Sequence, residues 1–367
     1  MSTNLNKKDK DSFFMSLALR QAIINLGNTG LNPSVGCIIT KNNSIISSGR
    51  TSFNGRPHAE HNAIMKSREN LRNASLYVTL EPCSHFGKTP PCINKIINSK
   101  VKKVFFSIKD PDKRYNNNSS KIFRRKNINV NVGILSKEIK QFYKSYILSR
   151  ENGLPFVTCK LAVSKDFFTI NKKKKWITNE YSRGRVHLMR SSHDAIITSS
   201  TTIQKDNPSL NCRIKGLEMT SPAIIILDNY LKISMRSKVI KSAFNSNVII
   251  FYNKFDKRKI KLLKKSGIKA YKANLNKKGN LNLEHVLKRV KELGFYRIFL
   301  ESGIKLASSF IKDNLVNDLK IFMSNDKLNN NGSGSLNGYL KSFIKKNKYT
   351  VEKVNLFGDK LISYKIK

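Results

Sequence analysis

One histidine, one glutamate and two cysteines in the first part of the chain have the types and spacing of a catalytic metal site. His58 and Glu60 form a His-x-Glu pair, and Cys83 and Cys92 follow them along the chain. An imidazole and two thiolates supply three zinc ligands and leave the fourth tetrahedral position to water, as catalytic zinc requires. Glu60 stands two residues after the first ligand, where it can transfer a proton without binding the metal.

The alternative interpretation is that these are scattered core residues without a metal. Helix-start signals argue against it, because Pro57 precedes His58 and Pro91 precedes Cys92, and proline is favoured in a first helical turn. A cysteine at a helix start feels the positive end of the dipole, which favours the thiolate that zinc requires. His-x-Glu followed by Pro-Cys and a second Cys is the signature of zinc deaminases acting on nucleobase-type amines.

The elements around these residues alternate between helix and strand. Apolar periodicity predicts a helix over Ser12–Leu26. The pattern after it predicts strands and further helices. In chain order these are a β-rich run from Val35, the strand Ile45–Gly49, the helix from His58, the strand Leu76–Leu80, the helix from Cys92 and the strand Val101–Ile108. This order predicts a sheet sandwiched by helices, with the zinc ligands at helix starts along one sheet edge.

Composition places the chain among soluble two-domain proteins. Its 367 residues exceed one average domain, and 39% of them are hydrophobic. No apolar run of about eighteen residues and no signal-peptide core occur, so no membrane partner is expected. Five cysteines, an odd and small number, indicate a reducing compartment and thiols used for metal or packing. These features predict a cytoplasmic enzyme.

The formal charge of +45 has two interpretations. A basic surface of this size could bind nucleic acid. The basic residues are dispersed apart from short runs such as 172–175, which favours a composition bias along the whole chain. We therefore expect no nucleic-acid partner, and either interpretation provides a positive field that attracts a phosphorylated substrate.

The first half resembles the deaminase part of the bifunctional riboflavin-biosynthesis deaminase/reductase family. The resemblance lies in Asn32-Pro33-x-Val35-Gly36, in His58-Ala59-Glu60 and in the segment 81–92. Eight residues separate the two cysteines, whereas tRNA adenosine and cytidine deaminases typically have two. The resemblance implies zinc, a catalytic Glu60, and a phosphorylated pyrimidine substrate held by Asn32, His85 and Lys88. The family usually has a histidine at the position of Thr51.

The second half alternates strands and helices from Phe156 onward, which predicts a second α/β domain with a largely parallel sheet. The polar segment 149–155 contains a glycine and a proline and is expected to be a linker. The predicted domains are therefore 1–149 and 150–367. The glycine- and asparagine-rich segment after Leu328 is expected to be flexible.

This half resembles the reductase domain of the same family, which has a dihydrofolate-reductase-like fold. The resemblance rests on Lys160-Leu161-Ala162-x-Ser164-x-Asp166, Trp176-Ile177-Thr178, segment 202–213 and Leu300-Glu301-Ser302-Gly303. It implies that substrate is held and polarised by Lys160, Asp206 and Glu301. It implies further substrate contacts from Arg190, Leu210 and Arg213, the two arginines taking the ribose phosphate. It implies that NADPH is bordered by Ala162, Trp176, Thr178, Thr202, Asp206 and Gly303.

Three departures from the family pattern affect the reductase half. Phe167 replaces a glycine, four lysines (172–175) fill a shortened loop, and Ser302 replaces a second glycine. The favoured hypothesis is a zinc deaminase joined to an NADPH-dependent reductase in riboflavin biosynthesis. Two others stay open: a nucleic-acid deaminase with a basic RNA-binding module, and a deaminase with a degenerate reductase domain. Homo-oligomerisation is compatible with the sequence.

Overall fold

The protein is described here from a computed structural model that covers residues 7–87, 89–112, 118–336 and 338–366. The chain divides into two compact units, Met1–Gly153 and Leu154–Lys367. Among the described residues, none of the helices combines the length and the apolar character needed to cross a membrane.

The first unit is a five-stranded sheet with helices around it, in the strand order β2-β1-β3-β4-β5. β1 is antiparallel to both its neighbours, whereas β3, β4 and β5 run parallel. Its strands are β1 (Gly36–Lys41), β2 (Ser44–Arg50), β3 (Ser75–Leu80), β4 (Lys103–Ile108) and β5 (Asn129–Val132). Its helices are α1 (Lys7–Ile24), α2 (Ala59–Lys66), α3 (Cys92–Asn98), α4 (Ser119–Arg125), α5 (Ser136–Phe142) and α6 (Lys144–Asn152).

Close packing of α2 on the sheet depends on small residues. A Cβ atom at Gly49 of β2 would lie 2.3 Å from the carbonyl oxygen of Ala59 and 2.4 Å from the amide nitrogen of Ala63. Only glycine permits this approach of backbone to backbone. Ala59 and Ala63 are fully buried in the apolar core of the unit. The contact fixes the start of α2, and with it His58 and Glu60, against the sheet.

The second unit contains a nine-stranded sheet in the order β11-β10-β9-β8-β12-β6-β13-β16-β15, and a small pair, β14-β7. The strands are β6 (Phe156–Val163), β7 (Phe168–Asn171), β8 (Ala195–Ser199), β9 (Ala223–Leu227), β10 (Val248–Tyr252), β11 (Lys269–Lys272), β12 (Arg297–Glu301), β13 (Asp318–Met323), β14 (Gly332–Ser335), β15 (Thr350–Val351) and β16 (Lys360–Lys365). The helices are α7 (Glu180–Ser191), α8 (Ser200–Asp206), α9 (Lys238–Lys241), α10 (Lys257–Lys265), α11 (Leu283–Glu292), α12 (Ile304–Lys312) and α13 (Gly338–Lys346).

Seven neighbouring strands of this sheet, from β11 to β13, are parallel, and the two pairings at one side, β13 with β16 and β16 with β15, are antiparallel. Apolar clusters cover both faces, as a parallel sheet between helix layers requires. The alternating pattern therefore predicted the second domain correctly as a largely parallel α/β fold. The same parallel register places the carboxyl ends of β6, β8 and β12 side by side.

The division between the two units, Gly153/Leu154, falls within the predicted linker 149–155. The first part of that segment is helical, because α6 continues to Asn152 and ends at Gly153, whose φ of 72° glycine adopts without strain. The segment after Leu328, which was expected to be flexible, is structured, because Gly332–Ser335 forms β14 and pairs with β7. Low sequence complexity suggested flexibility there, while strand pairing decided the outcome.

Candidate active sites

The structure brings His58, Cys83 and Cys92 together in the first unit. His58 Nδ1 lies 3.2 Å from Cys92 Sγ and 3.6 Å from Cys83 Sγ. His58 precedes α2 as its cap residue, Cys92 is the first residue of α3, and Cys83 lies in the loop after β3. Two of the three residues therefore stand at helix starts, as the prolines before them predicted.

The trio fits a zinc ion. Its three ligand atoms all lie within 4.8 Å of one another. Zn–N and Zn–S bond lengths imply ligand separations of about 3.6–3.8 Å in a tetrahedral site, close to the distances observed here. The backbone N–H of Cys92 donates to Cys83 Sγ at 3.2 Å. A hydrogen bond from the Cys92 thiol lowers the pKa of Cys83, which favours the thiolate form that metal binding needs.

Glu60 lies beside this trio in the first turn of α2, and only 4% of its surface is exposed. Burial raises the pKa of its carboxyl group from 4.5 to about 7. A carboxyl group with a pKa near neutrality can both accept and return a proton during turnover. The arrangement of His58, Cys83, Cys92 and Glu60 therefore supports metal-assisted hydrolysis with a buried proton carrier.

Asn32 and His85, two other residues predicted for this site, lie in loops of the same unit. Asn32 Nδ2 donates to the carbonyl of Gly55 at 2.9 Å, so its amide also braces the loop that leads to His58. Thr51 Oγ1 accepts from the backbone N–H of Val35 at 2.9 Å, a structural role at the position where the family has histidine. Lys88 lies outside the described residues.

Arg56 is a residue that the motif analysis did not select. Its guanidinium donates to the Thr89 hydroxyl, and it lies near Gly87 in the loop between the two cysteines. His85 lies in the same loop, with its ring near Gly87. No motif marks Arg56, but its position two residues before the first predicted zinc ligand was a usable signal.

A second cluster of charged residues lies where β6, β12 and α7 meet in the second unit. Glu301 pairs with Lys160 in the register of the adjacent parallel strands, and Lys160 Nζ lies 3.9 Å from Glu301 Oε1. Arg190 of α7 donates to both carboxylate oxygens of Glu301 at 2.9 Å. Burial opposes ionisation of Glu301, but Arg190 and Lys160 outweigh it and lower its pKa. Burial lowers the pKa of Lys160.

Arg190 also donates from Nη1 to the carbonyl of Asn211 at 2.9 Å, so all three guanidinium nitrogens have partners within the chain. Arg213 is exposed, and it donates to the Asn211 side chain at 3.0 Å. Leu210 is only 2% exposed and its side chain belongs to an apolar core. Only its main-chain atoms could therefore contact a substrate. Asp206 is exposed at the end of α8, where partial desolvation raises its pKa although the nearby Lys205 and Lys175 act to lower it.

The residues predicted to border NADPH lie along the carboxyl edge of the sheet. Thr202 Oγ1 lies 3.0 Å from Ser199 Oγ and accepts weakly from the N–H of Gly303 at 3.4 Å. Gly303 precedes α12, and no side chain caps that helix. A Cβ atom at Gly303 would meet nothing within 4 Å, so the helix start is open. An open helix start at a strand end fits a cofactor phosphate.

The two remaining cofactor candidates outside the strands lie before α7. Trp176 is 55% exposed, with the Arg183 guanidinium 5.3 Å from its ring centroid. Arg183 also donates to the carbonyl of Thr178 at 2.7 Å. Ala162 lies on β6, two residues after Lys160 and therefore on the same face of the sheet.

Phe167 occupies the position of the missing family glycine and has a φ of 67°. Its side chain is partly buried against the apolar core of the second unit. The turn is held by Asp166, which accepts backbone N–H groups of Leu328 and Asn329 at 2.8–3.1 Å. A bulky residue thus adopts here the left-handed backbone conformation that glycine favours.

Comparisons with known proteins support both halves. Residues 8–108 match the family described as the cytidine and deoxycytidylate deaminase zinc-binding region, and residues 155–325 match the RibD C-terminal domain. A riboflavin biosynthesis protein RibD of Aquifex aeolicus is 31% identical, with 97% of this chain and 98% of that protein covered. The RibD of Buchnera aphidicola is 34% identical, covering 88% of each chain.

The chain belongs to the RibD family. The RibD structure of Acinetobacter baumannii superposes with a TM-score of 0.85 at 25% identity, covering 98% of this chain and 99% of that one. A deaminase/reductase from Thermotoga maritima gives a TM-score of 0.84 at 30% identity with the same coverage.

Membership of the RibD family confirms the predicted bifunctional enzyme of riboflavin biosynthesis, with a zinc deaminase domain and an NADPH-using reductase domain. It confirms the cytidine-deaminase-like first fold and the dihydrofolate-reductase-like second fold. The resemblance drawn from the motifs is likewise confirmed.

Proposed function

We propose that this RibD-family chain carries out two successive reactions on one phosphorylated pyrimidine. The first is hydrolytic deamination of diaminohydroxyphosphoribosylaminopyrimidine. The second is reduction of the ribosyl chain of 5-amino-6-(5-phosphoribosylamino)uracil to ribityl by NADPH. The Thermotoga relative bears the names of both activities. The observation that supports the first step most directly is His58 Nδ1 facing two cysteine sulphurs beside the buried Glu60.

We assign zinc binding to His58, Cys83 and Cys92, and deamination to the region 1–149. Zinc in such a site lowers the pKa of the attacking water. Glu60 takes a proton from that water and delivers it to the departing amine, so that water and the amino group become the ring carbonyl and ammonia. Its pKa of about 7 suits both transfers.

Substrate positioning in this site is assigned to Asn32, His85 and Lys88, with Arg56 added from the structure. Arg56 and Thr89 form a contact that orders the loop containing His85. A guanidinium beside that loop is suited to the ribose phosphate, because its planar fork pairs with phosphate oxygens.

Reduction is assigned to the region 150–367. NADPH supplies the hydride, and the protein orients the reacting carbon. Lys160 and Glu301 hold and polarise the ribosyl group, and Asp206 contributes from the end of α8. Arg213 takes the ribose phosphate. Arg190 acts through Glu301, because its guanidinium is already hydrogen-bonded to that carboxylate.

The cofactor contacts are assigned to the carboxyl edge of the sheet and the segment before α7. Thr202 and Gly303 take the phosphates at the open start of α12. Ala162, Trp176 and Thr178 border the nicotinamide half, and Asp206 lies between cofactor and substrate. Leu210 contributes through its main chain.

The experiment that tests this function follows two products in one tube. Purified, zinc-loaded protein receives the diaminopyrimidine ribose phosphate and NADPH, and ammonia and NADPH are measured together. Release of both ammonia and NADP⁺ supports the two-step function. Ammonia without NADPH oxidation supports the degenerate-reductase hypothesis that Phe167 and Ser302 motivate. Absence of both refutes the proposal, and salt-sensitive RNA binding would then support the nucleic-acid deaminase.

The reducing cytoplasm is the compartment we propose, since all five cysteines are free thiols and two of them are assigned to zinc. We expect no nucleic-acid partner and attribute the charge of +45 to dispersed surface lysine and arginine. A homo-oligomer is compatible with this assignment, and sedimentation of the zinc-loaded protein measures it.

A further inference from the structure

Two side chains from the last helix of the first unit hold the loop that contains Asn32, and neither has a role above. The Tyr143 hydroxyl donates to the carbonyl of Ser34 at 2.9 Å. Arg150 donates from Nη2 to the carbonyl of Leu31 at 3.2 Å. These two carbonyls lie on either side of Asn32. We call Tyr143 and Arg150 the loop clamp.

The spacing of the clamp along α6 matches the span of the loop that it holds. Tyr143 is the cap residue of α6, its carbonyl accepts the backbone N–H of Ile147 at 2.8 Å, and Arg150 lies in the last turn. Two turns of helix put these residues on one face, about 10 Å apart along the axis. Three residues of extended chain cover about the same distance. One helix face can therefore reach both ends of the segment that contains Asn32.

The Tyr143 end of the clamp is anchored in the sheet. Tyr143 is only 2% exposed, and its hydroxyl lies 2.7 Å from Thr79 Oγ1. Because the single hydroxyl proton of Tyr143 is given to Ser34, the Thr79 hydroxyl is the donor between the two. Thr79 Oγ1 in turn accepts the backbone N–H of Gly36 at 3.2 Å. The position of the Ser34 carbonyl is thereby fixed by β1 and β3.

The Arg150 end of the clamp is held by the segment after β4. Arg150 Nε lies 3.4 Å from Asp112 Oδ2, and its guanidinium lies 5.1 Å from the Tyr146 ring centroid. Asp110 Oδ1 accepts both the Tyr146 hydroxyl at 3.0 Å and the backbone N–H of Asp112 at 2.9 Å. The guanidinium is therefore oriented by buried neighbours before it meets the loop, which lowers the entropy lost in this contact.

The Leu31 end of the loop depends on hydrogen bonds more than on burial. The Leu31 side chain is 54% exposed, so little apolar surface is removed from water there. The N–H of Asn32 donates to the carbonyl of Thr29 at 3.2 Å, and the Thr29 hydroxyl donates to the carbonyl of Asn32 at 2.7 Å, both within the loop itself. The contact with Arg150 joins this turn to a helix 119 residues away in the chain.

We infer that Tyr143 and Arg150 are positioning residues for deamination and act through Asn32. This inference rests on the proposed deamination, in which Asn32 contacts the pyrimidine substrate. When only a fraction of molecules holds the binding-competent conformation, apparent affinity falls by that fraction. Loss of the clamp therefore raises KM for deamination. It leaves kcat almost unchanged, because the proposed zinc ligands and Glu60 are intact.

The test measures kcat and KM for ammonia release by the full-length, zinc-loaded protein. Arg150→Ala should raise KM by about tenfold and change kcat by less than about threefold. Arg150→Lys, which keeps the charge but not the fork, should raise KM less. Tyr143→Phe keeps the buried ring and loses one neutral hydrogen bond, so KM should rise by about twofold to tenfold.

Hydrogen exchange gives a readout that is independent of activity. Peptides covering residues 28–36 should exchange faster in Arg150→Ala than in the wild type, because opening of the loop becomes easier. Arg125→Ala is the matched control, since Arg125 is exposed in the last turn of α4. This control should keep the wild-type KM and exchange rate. Circular dichroism verifies the fold of each variant, and Arg150→Lys and Tyr143→Phe carry the test if Arg150→Ala does not fold.

A double-variant cycle isolates the route through Asn32. In an Asn32→Ala background, Arg150→Ala should raise KM by less than about twofold, because the side chain that the clamp positions is already absent. An equal rise in both backgrounds would overturn this route.

Two further results separate this inference from the function on which it rests. Wild-type protein that releases no ammonia would overturn the proposed deamination. Active wild-type protein, with KM unchanged in the folded clamp variants, would overturn the clamp alone. A fall in kcat at constant KM would likewise overturn it, since that result indicates loss of active protein and not loss of positioning.

Discussion

Arg190 and Glu301 form a two-point ion pair, with Nε and Nη2 of the guanidinium each donating to one carboxylate oxygen at 2.9 Å. The arginine comes from α7 and the glutamate from the end of β12. Lys160 approaches the same carboxylate from β6 at 3.9 Å. The pair fixes the carboxylate plane and keeps the group ionised, so Arg190 sets the orientation and charge of the carboxylate that we propose to contact the substrate.

Replacing Arg190 with alanine should impair reduction and spare deamination. We expect NADPH oxidation with the aminouracil substrate to fall by about tenfold or more, as a charge-assisted pair is lost. The pKa of Glu301 rises without its partner, so the acid limb of kcat/KM for reduction moves to higher pH. Arg190→Lys, which keeps the charge but not the fork, should shift the profile less. An unchanged pH profile in the alanine variant would remove the role given to Arg190.

Glu60→Gln should lower the rate of ammonia release by a factor of about 10² to 10⁴, because glutamine cannot carry a proton between water and the leaving amine. Zinc should stay bound, since none of the three proposed ligands is changed. NADPH oxidation with the aminouracil substrate supplied directly provides the control and should match the wild type. Ammonia release at the wild-type rate would refute the assignment.

Zinc removal should act on the first unit alone. Chelation, or Cys92→Ser, should abolish ammonia release and lower the thermal stability of that unit, because metal binding energy contributes to folding. Cys37→Ala is the matched control, since Cys37 is a fully buried cysteine in β1 that is not part of the trio. Metal content by atomic spectroscopy should fall in the Cys92 variant and not in the Cys37 variant.

Because His193 is buried, we expect the second unit to lose stability in acid. The ring is 4% exposed, Nδ1 donates to the carbonyl of Met189 at 2.6 Å, and Nε2 accepts from the Thr158 hydroxyl at 3.1 Å. Burial, together with the nearby cations Arg297 and Lys320, lowers its pKa from 6.5 to about 3. Below pH 6.5 this histidine becomes protonated in the unfolded chain but stays neutral in the folded chain. The free energy of unfolding therefore falls as the pH is lowered toward 3.

The slope from this group is at most about 1.4 kcal/mol per pH unit. Denaturant unfolding at pH 7 and pH 5, followed by the fluorescence of Trp176, the single tryptophan, reports on the second unit. His193→Gln can make both hydrogen bonds without titrating, so its stability should fall less between the two pH values. Equal losses in wild type and variant would assign the acid sensitivity to other groups.

Phe167 should cost stability through its backbone. The backbone at this position has a φ of 67°, a left-handed conformation that costs free energy for alanine but not for glycine. The Phe167→Gly variant should therefore be about 1 kcal/mol more stable than Phe167→Ala. Both variants lose the same contacts of the aromatic ring with the core. Comparing the two by denaturant unfolding therefore isolates the backbone term. Equal stability would mean that the turn relaxes once the ring is removed.

The motif spacing predicted most of the first site because its parts are close in the chain and strongly typed. His58 and Cys92 each follow a proline that starts a helix, and Glu60 shares the first turn of α2 with the cap residue. The alternation of elements likewise predicted both α/β units. Where the structure differs from the prediction, after Leu328, low sequence complexity was the signal used.

Residue types and spacing by themselves predicted a zinc-ligand set, a proton carrier and two α/β units. Only the tertiary structure decided that Arg190 pairs with Glu301, that the Leu210 side chain is buried, and that Lys232 and Lys254 meet at Tyr230. The physical reason is distance along the chain. Arg190 on α7 and Glu301 at the end of β12 are 111 residues apart, and Lys254 follows a different strand from Tyr230. Strand order and register bring such residues together and leave no local mark on the residues themselves.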